Sequence, residues 1–252
     1  MISTLIISLH LLSAEPACAA PVLPDTNEYS VVSDSTTTLP DFFTETDAFL
    51  KKYVSNGKVD YKALKAAPAE IRHLYTTIGE MDLSAADKAT QTAFYINAYN
   101  LITIYAVVEK MPITSPLDVS GFFDTKKHQI AGTYMTLNDL ENKKLRPDPR
   151  VHFALVCGAN GCPQLRSEAY MPATVMDQLT AATKAAMNDP NFIRVNTSTK
   201  TVAISQIFDW YKDDFIKSSG SDIAFINSYR TNKIPTDYKK EFYTYDWKLN
   251  GK

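Results

Sequence analysis

Cysteine and glycine are scarce in this 252-residue chain, at 3 and 8 residues, yet Cys157-Gly158-Ala159-Asn160-Gly161-Cys162 holds two of each. Paired glycines permit a tight turn with positive φ, and such a turn brings two sulfurs together. Pro163 suits the first position of a helix. A helix starting there sets Cys162 at or beside an N-cap, where backbone N–H groups and the dipole lower a thiol pKa. Two chemistries follow with equal weight. One is a thiolate nucleophile in a backbone-lined loop that also offers oxyanion donors. The other is a disulfide across a small ring, contributing about 2 kcal/mol on chain entropy. Redox exchange ranks lower, because the four-residue spacer differs from the two-residue spacing of redox motifs. Two thiols with one nearby histidine form no zinc pattern, so neither a metal nor a cofactor is expected.

A nucleophilic thiol needs a base. His152 is the nearest histidine, but five residues along a strand set it roughly 16 Å from Cys157 and on the opposite face. It therefore serves only if the strand breaks, or if it meets Cys162 after the turn. His128 and His73 are alternatives from elsewhere in the chain. Asn97 and Asn100 fall on one side of a helix. Buried amides there must find partners, and tethering loops is the simpler use than orienting an imidazole. Glu141, near Arg146 and Arg150, is either half of a buried ion pair or the acidic member of a site. Phe208, Trp210, Tyr211 and Phe215 have helical spacing and form core or the aromatic wall of a cleft. The candidate catalytic residues are thus Cys157, Cys162, His152, Glu141 and Asn100, and the candidate binding residues Asn97, Arg150 and Trp210.

The elements that must position these groups are helical first and extended later. Phe42, Phe43, Phe49, Leu50 and Tyr53 mark a first helix that Asn56-Gly57 ends, and a second helical stretch runs around residues 67–78. Ser84 and Asp87 read as a capping-box start for a third helix that stops before Pro112. From Ala93 to Val108 it is apolar nearly all round, the pattern of a helix buried on every side. A hairpin follows around Gly132, then a short helix from Thr136 to Leu145 and a strand from Arg150 to Cys157. Residues 172–187 read as an amphipathic helix, 192–195 and 201–204 as a second hairpin, and Ser205 as the cap of a helix over 206–216. A last helix starts at Asp222. The expected class is α+β, with a buried central helix in the first half and a small, mostly antiparallel sheet in the second.

Hydrophobic residues make up 45% of the chain, enough for one substantial core. The 26 basic and 28 acidic residues are balanced, which gives no footprint for nucleic acid. Leu5 to Leu12 followed by Ala17-Cys18-Ala19-Ala20 resembles a signal peptide, although no basic residue precedes the apolar run. That run is too short to span a bilayer. The expected organisation is a signal over 1–20, a Ser/Thr/Pro-rich flexible leader over 21–40 and one domain over 41–252. Cleavage after Ala19 or Ala20 leaves two cysteines in a periplasmic or secreted protein, where a disulfide persists.

Several motifs together resemble the family called domain of unknown function 547, in its bacterial, exported form. They are Asn56-Gly57-Lys58-Val59-Asp60-Tyr61, the run Ala93 to Asn100, Leu140-Glu141 through Arg146, Asp148 to Gly158 with Cys162-Pro163, Ile207 to Tyr211, and Tyr245 to Asn250. Against the family pattern, Tyr95 replaces a Trp, Gly161 a Ser, and Asn142 a His that commonly follows the Glu. The resemblance implies that Cys157, Cys162, His152, Glu141, Asn97 and Asn100 form one patch, without assigning an activity. The expected function is a thiol-dependent hydrolase or acyl transferase acting on peptide or envelope material. The alternative is a non-enzymatic binding or scaffolding domain with a Cys157–Cys162 disulfide. Substrate and protein partner are left open.

Overall fold

A computed structural model of the chain describes residues 37–146 and 148–252. The expected signal peptide and leader up to residue 36 lie outside the described residues. Helix α1 (Leu39–Tyr53) starts two residues ahead of the expected domain boundary, with Thr38 and Asp41 forming a reciprocal capping box. Asn56-Gly57 does not cap it. Both residues have positive φ and turn the short hairpin of β1 (Val54–Ser55) and β2 (Lys58–Val59), the role Asn-Gly plays in two-residue loops. Helices α2 (Tyr61–Ala66) and α3 (Ala69–Glu80) follow.

The long helix α4 (Lys88–Lys110) is the axis of the first half, and residues 93–104 and 106–108 along it are all buried. Its cap is Asp87, whose side chain accepts from Thr90 N at 2.8 Å. Ser84 lies outside the helix and bonds back to Asp82 instead. Because α4 is apolar all round, it needs neighbours on every side; α2, α3, α6 (Val175–Asn188) and the turn at 141–145 supply them.

The hairpin at Gly132 forms as expected from β3 (His128–Ile130) and β4 (Thr133–Met135). In the second half, β5 (Ile193–Asn196) pairs antiparallel with β6 (Thr201–Ile204), and β7 (Lys239–Phe242) adds in parallel to β6. This sheet, α6, α8 (Lys212–Ser219) and α9 (Asp222–Tyr229) enclose a second cluster with Phe153, Phe208, Phe215 and Phe225 at its centre, each at most 1% exposed. Burying each such ring stabilises by about 1.5–3 kcal/mol. The architecture is α+β, with small sheets confined mainly to the second half. No helix among the described residues is long and apolar enough to cross a membrane.

Three sequence expectations fail around the site. The segment read as a strand over 150–157 is a 3₁₀ turn, Pro149–Phe153, capped by Asp148 and followed by irregular chain. Pro149 fixes the first φ for that turn, and no neighbouring strand pairs with the β-type run behind it. No helix follows Pro163, so Cys162 has no helix N-terminus to lower its pKa. Likewise the helix expected over 206–216 breaks at Tyr211 into α7 (Ile207–Trp210) and α8.

Candidate functional site

The site lies at the seam of the two hydrophobic clusters, both of which pack against Cys162. A short helix, α5 (Leu137–Leu140), opens with a Thr136–Asp139 capping box and widens into a π-helical turn, Glu141–Leu145. Such insertions re-aim side chains and recur at functional sites. Here the turn buries Glu141, which is 5% exposed, and ends at Arg146. The 3₁₀ turn brings His152, 4% exposed, against it.

His152 is held between two carboxylates, with Nδ1 3.1 Å from Glu141 Oε1 and Nε2 2.8 Å from Asp214 Oδ2. Asp214 also takes a two-pronged bond from Arg146, at 2.8 Å from Nε and 2.7 Å from Nη2. Burial pushes the Asp214 pKa up, but the bonds from Arg146 and His152 outweigh it and hold the carboxyl below its ordinary range. Tyr211 stacks on the imidazole at 3.8 Å between ring centroids. Its phenol is pushed well up, by burial first and then by the Glu141 charge. Both ring nitrogens of His152 are thus engaged by carboxylate oxygens.

The two sulfurs meet each other rather than an imidazole. Cys157 and Cys162 lie at disulfide distance, with Cα atoms 6.5 Å apart, inside the range a disulfide spans. The Tyr245 hydroxyl donates to Cys162 Sγ at 3.1 Å and lies 3.2 Å from Cys157 Sγ, and Cys157 N–H donates to Cys162 Sγ at 3.1 Å. The loop is pinned by the C-terminal segment: Asn160 and Gly161 N–H groups donate to the carbonyls of Lys248 and Asp246, and Asn250 N–H to that of Gly158. Gly158 turns with φ +79°, and Gly161 lies so close to the Tyr245 ring that a Cβ there would come within 2.8 Å of it.

Asn100 sets the chain leading into that loop. Its Nδ2 donates to Ala154 O at 2.9 Å and its Oδ1 accepts from Val156 N at 2.8 Å. Asn97 makes the same two-point bond to Tyr170. Both amides therefore bind backbone, and neither reaches the imidazole. Arg150 pairs with Asp148 and reaches Thr180 on α6, outside the cleft described next. His73 pairs with Glu45 at the surface. His128 is buried against Tyr75, 3.1 Å from its hydroxyl.

A cleft of about 590 Å³ opens over this arrangement, lined by Glu141, His152, Cys157 and Cys162 together with Phe123, Trp210, Tyr211, Tyr245 and Trp247. The chain's two tryptophans face each other across 5.8 Å, and each lies 4.9 Å from Tyr245. Trp210 is 46% exposed. The structure thus joins Cys157, Cys162, His152, Glu141 and Trp210, and leaves Asn97, Asn100 and Arg150 out of the cleft lining. Sequence reading missed Asp214, Tyr245 and Trp247. The signals were the aromatic-rich segment Trp210 to Phe215 for Asp214 and the family-like stretch Tyr245 to Asn250 for Tyr245 and Trp247. No group of three or more His, Cys, Asp or Glu side chains among the described residues is placed to hold a metal ion.

These features define an α+β domain with an aromatic cleft over a buried carboxylate–imidazole–carboxylate chain and a cysteine pair. Residues 83–185 match a family model described as Protein of unknown function, DUF547, which supports that family for the chain. The matched stretch holds Asn97, Asn100, Glu141, His152, Cys157 and Cys162, and stops short of Trp210, Asp214 and Tyr245. No curated protein and no solved structure matches the chain.

Proposed function

We propose that this domain is a binding module rather than a thiol hydrolase or acyl transferase, and that its ligand carries a flat apolar face and a hydrogen-bond donor. The observation that carries this reading is the occupancy of the groups thiol catalysis needs. The sulfurs are paired with each other and with Tyr245, while both nitrogens of His152 are engaged by Glu141 and Asp214. What remains open to a ligand is the exposed face of Trp210, beside Tyr245 and Trp247, in a cleft that the buried Glu141 also lines. Apolar walls with a few fixed polar groups suit small-ligand binding. Export to an oxidising compartment, the localisation expected from residues 1–20, fits a pair that rests as a disulfide.

The test is a titration of the full chain with 2-phenylethylamine, a ring bearing an ammonium donor, followed by tryptophan fluorescence. A saturable change that Trp210→Ala removes and Glu141→Gln weakens about tenfold, the loss of one charged hydrogen bond, supports the reading. No saturable change overturns it. A burst of nitrophenol from p-nitrophenyl acetate with the reduced chain, lost in Cys162→Ser, returns the case to thiol catalysis.

A further inference from the structure

Beyond ligand binding, we infer that Cys157–Cys162 is an exchangeable dithiol/disulfide pair, in which Cys162 exchanges with external thiols and disulfides and Cys157 resolves. Three observations point this way. Both cysteines line the 590 Å³ cleft, and neither is fully buried. Cys162 also borders a second, polar groove of about 960 Å³ whose lining does not include Cys157. Cys162 is therefore the cysteine of the pair that borders both openings.

The hydrogen bonds are unequal in the same sense. Cys162 Sγ accepts from Cys157 N–H and from the Tyr245 hydroxyl, whereas Cys157 Sγ has only the shared contact with Tyr245. Donors aimed at one sulfur favour its thiolate. Tyr245 suits this role because burial keeps its phenol protonated, well above its ordinary range, so it remains a donor at any physiological pH. The donors here are a phenol and a backbone N–H, which differs from the two-residue redox motif and its helix N-terminus and explains why spacing alone does not disclose the pair.

The steps balance without a cofactor. In the dithiol form, Cys162 thiolate attacks one sulfur of a small-molecule or protein disulfide. That S–S bond breaks, one thiolate leaves and takes a proton from water, and a mixed disulfide remains on Cys162. Cys157 then loses its proton to solvent and attacks Cys162 Sγ, releasing the second thiolate. The dithiol is oxidised to the internal disulfide and the external disulfide is reduced to two thiols. Reduction of the pair by two external thiols runs the same steps backwards.

Cys157→Ser retains the backbone N–H that faces Cys162, so it isolates the exchanging sulfur. In the full chain at pH 7, oxidised glutathione is expected to add one glutathione at Cys162 of this variant at least about tenfold faster than to the same chain unfolded in urea, as a lowered thiol pKa requires. Peptide mapping counts Cys18 apart. Tyr245→Phe in that background slows the reaction several-fold. Wild-type chain, reduced and then mixed with oxidised glutathione, closes the Cys157–Cys162 disulfide and releases two glutathiones from that pair, besides the one that Cys18 releases on forming its own adduct; this arm needs no substitution and remains decisive if the variant fails to fold. An adduct no faster than in urea, or a wild-type pair that reacts only once unfolded, overturns the inference. Neither arm requires a cleft ligand, so its failure is separate from failure of the binding reading.

Discussion

His152 Nε2 lies 2.8 Å from Asp214 Oδ2, across 62 residues of sequence, and this bond joins the 3₁₀ turn, which contributes Val151 to the first cluster and Phe153 to the second, to α8. Removing one member of a buried ionic group leaves the others uncompensated, which costs about 3–5 kcal/mol. His152→Ala should therefore lower stability by that amount in urea unfolding at pH 7. Asp214→Asn keeps the shape and loses the charge that Arg146 holds. The folded Asp214 pKa is depressed, so its contribution is present above the ordinary carboxylate pKa and is lost as pH falls through the lowered value. The wild-type chain should lose stability across that acid window more steeply than Asp214→Asn; parallel curves refute the assignment.

A second pH dependence belongs to His128. Burial and the charge of Lys126 lower its pKa from 6.5 to about 4, and the facing Tyr75 hydroxyl is its hydrogen-bond partner. Neutral His128 is compatible with the fold and the imidazolium is not. Unfolded chain binds this proton from about pH 6.5 downward, so the stabilisation is full above 6.5 and declines toward 4. The expected loss between pH 7.5 and 4.5 is about 2–3 kcal/mol at 1.36 kcal/mol per pH unit of uncompensated protonation. His128→Gln should flatten this decline; equal slopes in both proteins count against it.

Asn100 stands under the cysteine loop as a substitute for a strand partner. Asn100→Ala strands Ala154 C=O and Val156 N–H in a buried setting, at about 1–3 kcal/mol for each unsatisfied group. We expect a loss of about 2–5 kcal/mol. Asn100→Asp, which can accept from Val156 N–H but not donate to Ala154 O, should also be impaired. A catalytic use of the amide predicts the opposite pattern, near-native stability with altered reactivity at Cys162.

Where local pattern decides the structure, the sequence is readable. The all-round apolar run of α4 and the hairpins at Gly132 and at 196–200 depend on periodicity and turn chemistry over a few residues. Val151 to Val156 is the counter-example. Its β-type residues find no neighbouring strand, and Asn100 and the Pro149 turn set its backbone instead. Glu141, His152, Cys157 and Cys162 were visible because of residue type and clustering. Asp214, Tyr245 and Trp247 come from positions 62 to 106 residues away from Glu141 or His152, and only tertiary packing brings them in.

Gly161 and Tyr245 give the sharpest test of that packing. Gly161 has no positive φ to excuse it; its requirement is space, since a Cβ would meet three ring carbons of Tyr245 at 2.8–2.9 Å. The ring cannot retreat freely, because Trp210 and Trp247 each lie 4.9 Å behind it. Gly161→Ala should therefore destabilise by about 1–3 kcal/mol, the usual cost of overpacking, and should move the Tyr245 hydroxyl off Cys162. Tyr245→Ala alone removes a buried aromatic ring, at about 3–5 kcal/mol. In the double variant the added methyl no longer meets a ring, so the combined loss should fall short of the sum by more than the roughly 0.5 kcal/mol seen for independent sites. Additive losses would mean that the loop and the ring do not share this contact.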